Sequence, residues 1–264
     1  MKTTQRASAI LIGLSILLFT APVFANTKIK ICTDTNYWYP FTFVKNTEPS
    51  GLHIDIISKA LRNLGYDAVF KPSEWQECLN QAKQGKVDAI ATASYRDDRA
   101  TFLNYPEGAA TDKKSPWRVS QVEYRVITAT ENAKGEKNTY EFNGDLKALP
   151  QPVRVPRNYS VAADLKKEGL KIKEGKNSLD IFKSLAKERT GSVVDIEEVA
   201  VHLKTQPEYA EKLVIQSKPL NLKSYFLAFS KSGQIKTEEA EKIWKEIAKV
   251  RSDETLMAEF LKKY

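Results

Sequence analysis

The chain alternates between two kinds of pattern, and does so twice. "TKIKICTD", "DAVFKP" and "KVDAIAT" are short runs rich in apolar and β-branched residues, which read as strands. Between them lie segments of helical period. "GLHIDIISKALRNLGY" sets Ile54, Ile57, Leu61 and Leu64 on one face and stops at Gly65. "SEWQECLNQAKQG" opens with Ser73 and Gln76 in capping-box spacing and closes on Gly85. Strands joined through helices pair in parallel, because a tight hairpin cannot return the chain in the same direction. A parallel sheet is covered by helices on both faces. The alternation therefore predicts an α/β fold.

After residue 106 the pattern loosens. "EYRVITAT" reads as a strand leaving the first unit, and "ENAKGEKNTYEFNGD" is polar and turn-rich. The alternation then restarts: "VRVP", "SVAADLKKEG", "LKIKEG", "SLDIFKSLAKERTG", "SVVDI", "EEVAVHLKTQ". "KLVIQS" and "SYFLAFS" add strands, and two amphipathic helices, "TEEAEKIWKEIAKVR" and "DETLMAEFLKKY", finish the chain. Two such blocks predict two α/β lobes with a ligand cleft between them. Ligands of open α/β sheets sit beyond the carboxyl ends of strands, which directs attention to the residues after "VDAIA" and "VRV".

Residues 1–25 have the grammar of a secretory signal: Lys2 and Arg6, an apolar stretch over residues 9–19, then Val23-Phe24-Ala25. That stretch is shorter than the ~20 residues of a membrane span. The mature chain is expected to start near Asn26 and to be soluble and periplasmic. The formal charge of the whole chain is +8. Its lysines are interspersed with glutamates, as on a solvated helix face, so no nucleic-acid partner is expected. In an exported chain, Cys32 and Cys78 read first as a disulfide, with two buried free thiols as the alternative. His53 and His202 lack ligand spacing with the cysteines. Both read as surface or half-buried residues, and no metal or cofactor is expected.

Several motifs then fall in order. "TDTNYWYPFTF" is an aromatic-Pro-Phe segment; "GLHIDI" is a Gly-x-x-hydrophobic-Asp helix start; "SEWQECLNQAKQGKVDAI" and "SYRDDR" follow at fixed intervals. Together they resemble bacterial extracellular solute-binding proteins of family 3, the periplasmic amino-acid receptors of ABC transporters. The resemblance implies a type II periplasmic binding fold with two crossover strands. Lobe 1 would hold residues 26–121 and 223–264, and lobe 2 residues 122–222. The hinge would lie near residues 120–124 and 220–225.

The resemblance also carries site residues. Arg99 and Ser94 would bind a ligand α-carboxylate, because a guanidinium offers a planar fork that lysine lacks. Arg96, which stands where the family has threonine, would face solvent, with Asp97 and Asp98 in the turn around Arg99. Ser160, in place of the family's threonine and two residues after Asn158 in place of its glycine, would meet the same carboxylate from a helix N-terminus. A plain helix cap at Ser160 is equally compatible. Asp195 or Glu197 would pair with a ligand ammonium. Tyr37 and Trp38 would stack on the ligand, and Phe41 would fill the core.

The implied protein is a monomeric, non-enzymatic receptor for an amino acid or related small carboxylate, docking on an ABC-transporter permease. The alternatives are an exported cyclohexadienyl-dehydratase-like enzyme on the same fold and a sensory receptor without transport.

Overall fold

A computed structural model describes residues 27–264, so the signal reading of residues 1–25 lies outside the described residues. The first block contains β1 (Thr27–Asp34), a hairpin of β2 (Phe43–Lys45) and β3 (Glu48–Ser50), then α1 (Leu52–Asn63) and β4 (Tyr66–Ser73). It continues through α2 (Trp75–Lys83), β5 (Ala89–Ser94), α3 (Asp97–Ala100) and β6 (Leu103–Asn104). β1 lies between β4 and β5 and runs parallel to both. The alternation in the sequence thus appears as parallel pairing.

α1 turns Ile56, Ile57 and Leu61 inward, and all three are fully buried. Each contributes roughly 1.5–3 kcal/mol by leaving water. Gly51 stands just before α1 with φ 126, and a Cβ there would collide with the Phe41 carbonyl. That close approach pins the aromatic loop of residues 37–43 to the start of α1. His53 departs from its sequence reading. It is fully buried, its ring stacks on Phe41 at 4.7 Å, and its Nε2 shares a 2.6 Å hydrogen bond with Ser120 Oγ. Burial pulls its pKa down to about 3. The first turn of α1 faces the aromatic loop, so a position that reads as peripheral becomes core.

The Ser73 capping box does not form. β4 runs through Ser73, which pairs with Asp34, and Thr35 N–H donates to the Ser73 carbonyl at 3.0 Å. Strand pairing holds the residue, and α2 starts only at Trp75 with no side-chain cap. A disulfide joins Cys32 to Cys78 with Cα atoms 5.5 Å apart. It fixes α2 against β1, and therefore Trp75 beside the end of β1.

Next comes β7 (Ser120–Ala129), followed by β8 (Val153–Pro156), α4 (Ser160–Lys167), β9 (Ile172–Gly175), α5 (Ser178–Glu188), β10 (Ser192–Ile196) and α6 (Glu197–Lys204). β8 lies between β9 and β10, parallel to both. β11 (Leu213–Ile215) pairs with β7, and β12 (Asn221–Ser230) follows. The sheet order is β4-β1-β5-β12-β7-β10-β8-β9. At its centre β12 and β7 run antiparallel from Asn221–Tyr124 to Tyr225–Ser120. β12 continues antiparallel to β5, and β7 continues antiparallel to β10. The two parallel blocks therefore meet only through these two long strands within the sheet. α7 (Thr237–Ser252) packs on α1, and α8 (Glu254–Leu261) packs on both. No helix of the described residues is long and apolar enough to cross a membrane.

Candidate functional site

The site grows from the carboxyl end of β5. Between the pairs Ile90–Ala228 and Ala93–Phe226 the register shifts, so Ala91 and Thr92 together face Leu227. Thr92 has φ 98, an outlying value for a β-branched residue. A bulge of this kind re-aims a side chain, and Thr92 lines the cavity at the strand end.

The chain then turns through α3 and brings Arg99 back over Ser94. Arg99 Nη1 donates to the Ser94 carbonyl at 3.1 Å and to Ser94 Oγ at 3.2 Å. The Tyr105 hydroxyl donates to the same carbonyl at 3.0 Å. From the second block, the Asn158 carbonyl accepts from Arg99 Nη2 at 3.1 Å. The Trp75 ring lies against the guanidinium, 4.9 Å from Cζ. Arg99 is only 2% exposed, and its Nε has no hydrogen-bond partner. Burial pulls its pKa below the ordinary guanidinium value, although an arginine stays charged at any physiological pH. The Nε–H and the second Nη2 hydrogen form the edge of the fork that remains for a carboxylate. Arg96 instead pairs with Asp98 at 2.9 Å on the half-exposed side of the turn.

The cavity under Arg99 has a volume of about 30 Å³ and also meets Trp38, Thr42, Tyr225 and Asp34. Trp38 and Tyr225 pack edge to face at 4.7 Å, and the Tyr225 hydroxyl bonds that of Tyr124 at 2.6 Å. Asp34 ends β1. One carboxyl oxygen accepts from Asn36 N–H at 3.0 Å, the other from the Tyr159 hydroxyl at 3.1 Å. Burial pushes its pKa up to about 6, against the opposing pull of those two hydrogen bonds.

Ser94, Arg99, Trp38 and Ser160 thus come together on one cavity. Ser160 is the first residue of α4 and not its cap, which is Tyr159. Its hydroxyl is buried beside Tyr225. Tyr37 is elsewhere: its hydroxyl shares a 3.0 Å bond with His202 Nε2, over an open groove lined by Gln206 and Tyr209. Within the aromatic loop, Trp38 lines the cavity while its neighbour Tyr37 turns to His202. Neither acid proposed from "VVDIEE" lines the cavity. Asp195 is fully buried in β10 and its carboxyl turns back to accept from Ile196 N–H at 2.8 Å. Burial pushes its pKa up to about 7. Glu197 opens α6 and pairs with Arg125 at 3.0 Å near the surface.

The residues that sequence reasoning did not single out are Asp34, Thr42, Trp75, Thr92, Tyr159 and Tyr225. The strand-end rule, applied to β1 as it was to β5, would have found Asp34. Tyr159 and Tyr225 carry no local signal.

No curated protein matches the chain. A solved ancestral arginine-binding protein bound to arginine is 20% identical, with 91% of this chain and 99% of that one covered and a TM-score of 0.70. A histidine kinase sensor domain with similarity to periplasmic binding proteins is 16% identical, with coverages of 91% and 96% and a TM-score of 0.73. An ancestral amino-acid-binding protein described as a precursor of cyclohexadienyl dehydratase is 17% identical, with coverages of 90% and 95% and a TM-score of 0.68. These likenesses establish the type II periplasmic binding protein-like fold. Residues 29–264 match the family description "bacterial extracellular solute-binding proteins, family 3", and the chain belongs to that family.

Proposed function

We infer that the protein is a periplasmic receptor that captures an amino acid or related small carboxylate and delivers it to an ABC-transporter permease. One observation carries the reading. Arg99 is a buried cation that forms no ion pair among the described residues, its Nε lacks a hydrogen-bond partner, and it lines a cavity. A buried charge without a counter-charge is expensive to hold. A ligand carboxylate would supply the missing charge and two hydrogen bonds at once.

In this reading the two blocks act as lobes, with residues 26–121 and 223–264 in one and 122–222 in the other. They close by bending β7 and β12 where these strands pair. The Arg99–Asn158 hydrogen bond spans the two lobes, so filling the site favours the closed form. The receptor acts as a monomer, needs no cofactor and performs no chemistry.

Asp34 supports a second reading. Its carboxyl, raised to about 6, is suited to general-acid work beside a bound carboxylate. A dehydratase on this scaffold would use it to protonate a leaving hydroxyl.

A thermal-shift screen separates the two. The refolded protein is tested against amino acids and small carboxylates, since a ligand of the native state raises Tm by mass action. A rise with an unconsumed ligand is expected. Turnover of prephenate or arogenate would move the assignment to the enzyme, and a flat screen without turnover would defeat both.

A further inference from the structure

The cavity is bounded by a side chain from the opposite block that takes up its one carboxyl group. Tyr159 precedes α4, held there by Asn158 in a left-handed conformation at φ 64. Its hydroxyl donates to Asp34 and also accepts a short contact from Asn36 Nδ2. Its ring stands edge-on to Trp38 at 6.5 Å. Among the described residues Asp34 is the sole acid on the cavity wall, so Tyr159 occupies the position from which a ligand cation would be read. What remains beneath Arg99 is about 30 Å³, room for roughly two or three water-sized groups. Trp38, Trp75 and Tyr225 wall off the other directions.

From this arrangement we propose that Tyr159 sets the specificity of the site, restricting the ligand to a small carboxylate without a long or cationic side chain. Long and cationic side chains are refused, because they would have to displace both the Tyr159 ring and its bond to Asp34. This inference rests on the receptor reading above and narrows its ligand class.

The test uses the whole exported chain, purified in denaturant and refolded, and titrated with acetate, glycine, L-alanine, L-glutamine and L-arginine. The wild type should bind at least one of the first three at least tenfold more tightly than either of the last two. Tyr159→Ala should remove that discrimination by improving L-glutamine or L-arginine at least tenfold. Tyr159→Phe keeps the ring and should keep the size limit. Wild-type preference for L-arginine or L-glutamine would overturn the inference while leaving the receptor reading intact. So would unchanged selectivity in a folded Tyr159→Ala protein. Silence of all three folded proteins toward all five compounds would overturn the receptor reading, and this inference with it.

Discussion

Arg99 and Asp195 are both buried ionisable residues at or just beyond the carboxyl end of a strand, one in each block, yet of the two only Arg99 lines the cavity. The difference lies in how the chain leaves the strand. After β5 a turn and the short α3 intervene, and the long Arg99 side chain folds back over Ser94 from outside the sheet. After β10 there is no turn. α6 begins at Glu197, and Ile196 N–H seizes the Asp195 carboxyl at 2.8 Å. Strand-end position therefore nominates a residue, while the connection that follows decides whether its side chain meets ligand or packing. The two blocks divide the surroundings of the cavity accordingly. The first supplies the charges, Arg99 and Asp34. The second supplies the Asn158 carbonyl, the Tyr159 ring and the Ser160 hydroxyl.

Replacing the charge on the cavity is the largest test of this contrast. Arg99→Ala should weaken ligand binding by at least about thirtyfold, since losing one partner of a buried charge pair costs about 2–5 kcal/mol. Stability should hold or rise, because the substitution removes a buried charge that lacks a counter-ion among the described residues. Calorimetric titration and denaturant melts read the two effects separately. Normal affinity in the variant would remove Arg99 from the site.

The charge in the packing should behave in the opposite way. Asp195→Asn should leave affinity unchanged and stabilise the fold at neutral pH by up to about 4 kcal/mol. The sign follows from protons bound. The Asp195 carboxyl has a folded value of about 7 and an ordinary value of 3.8. Between these the native state holds a proton that the unfolded chain has released, so wild-type stability falls as pH rises through that window. The variant does not titrate there. Its advantage should be full above pH 7 and should vanish below about pH 4. His53, lowered to about 3, adds an opposite slope, destabilising on acidification, but it does so in both proteins and cancels from their difference. An advantage that does not change with pH would show that the Asp195 carboxyl is not protonated by folding.

What the sequence made legible follows the range of the interactions involved. The parallel blocks and their helices were readable because periodicity is local, as in the buried stripe of α1 at Ile57 and Leu61. Arg99, Ser94, Trp38 and Ser160 came from motif order, which fixes positions along the chain. Tyr225 was not readable, since its place depends on the β12 register against both β5 and β7. Tyr159 depends on a turn at Asn158 facing the end of β1. The ambiguity between Asp195 and Glu197 was one of strand length, and both side chains turned elsewhere once β10 ended at Ile196. His53 was misread because a helix's first turn shows nothing of the loop that will cover it.

The smallest expected effect tests the second block's polar share of the site. Ser160 is 2% exposed and lines the cavity. It is not the cap of α4, so Ser160→Ala should change stability by less than about 0.5 kcal/mol, where losing a true cap costs about 1 kcal/mol. A neutral hydrogen bond to a ligand is worth roughly 1 kcal/mol net, which predicts a loss of about fivefold in affinity by calorimetric titration. The ratio to the Arg99→Ala effect then measures how unequally the two blocks share recognition. If Ser160→Ala binds as tightly as wild type, the second block recognises ligand only through the Asn158 carbonyl's hold on Arg99 and the bulk of Tyr159. If it loses as much as Arg99→Ala, the charge is not the dominant grip, and the division between a charge-reading block and a shape-reading block fails.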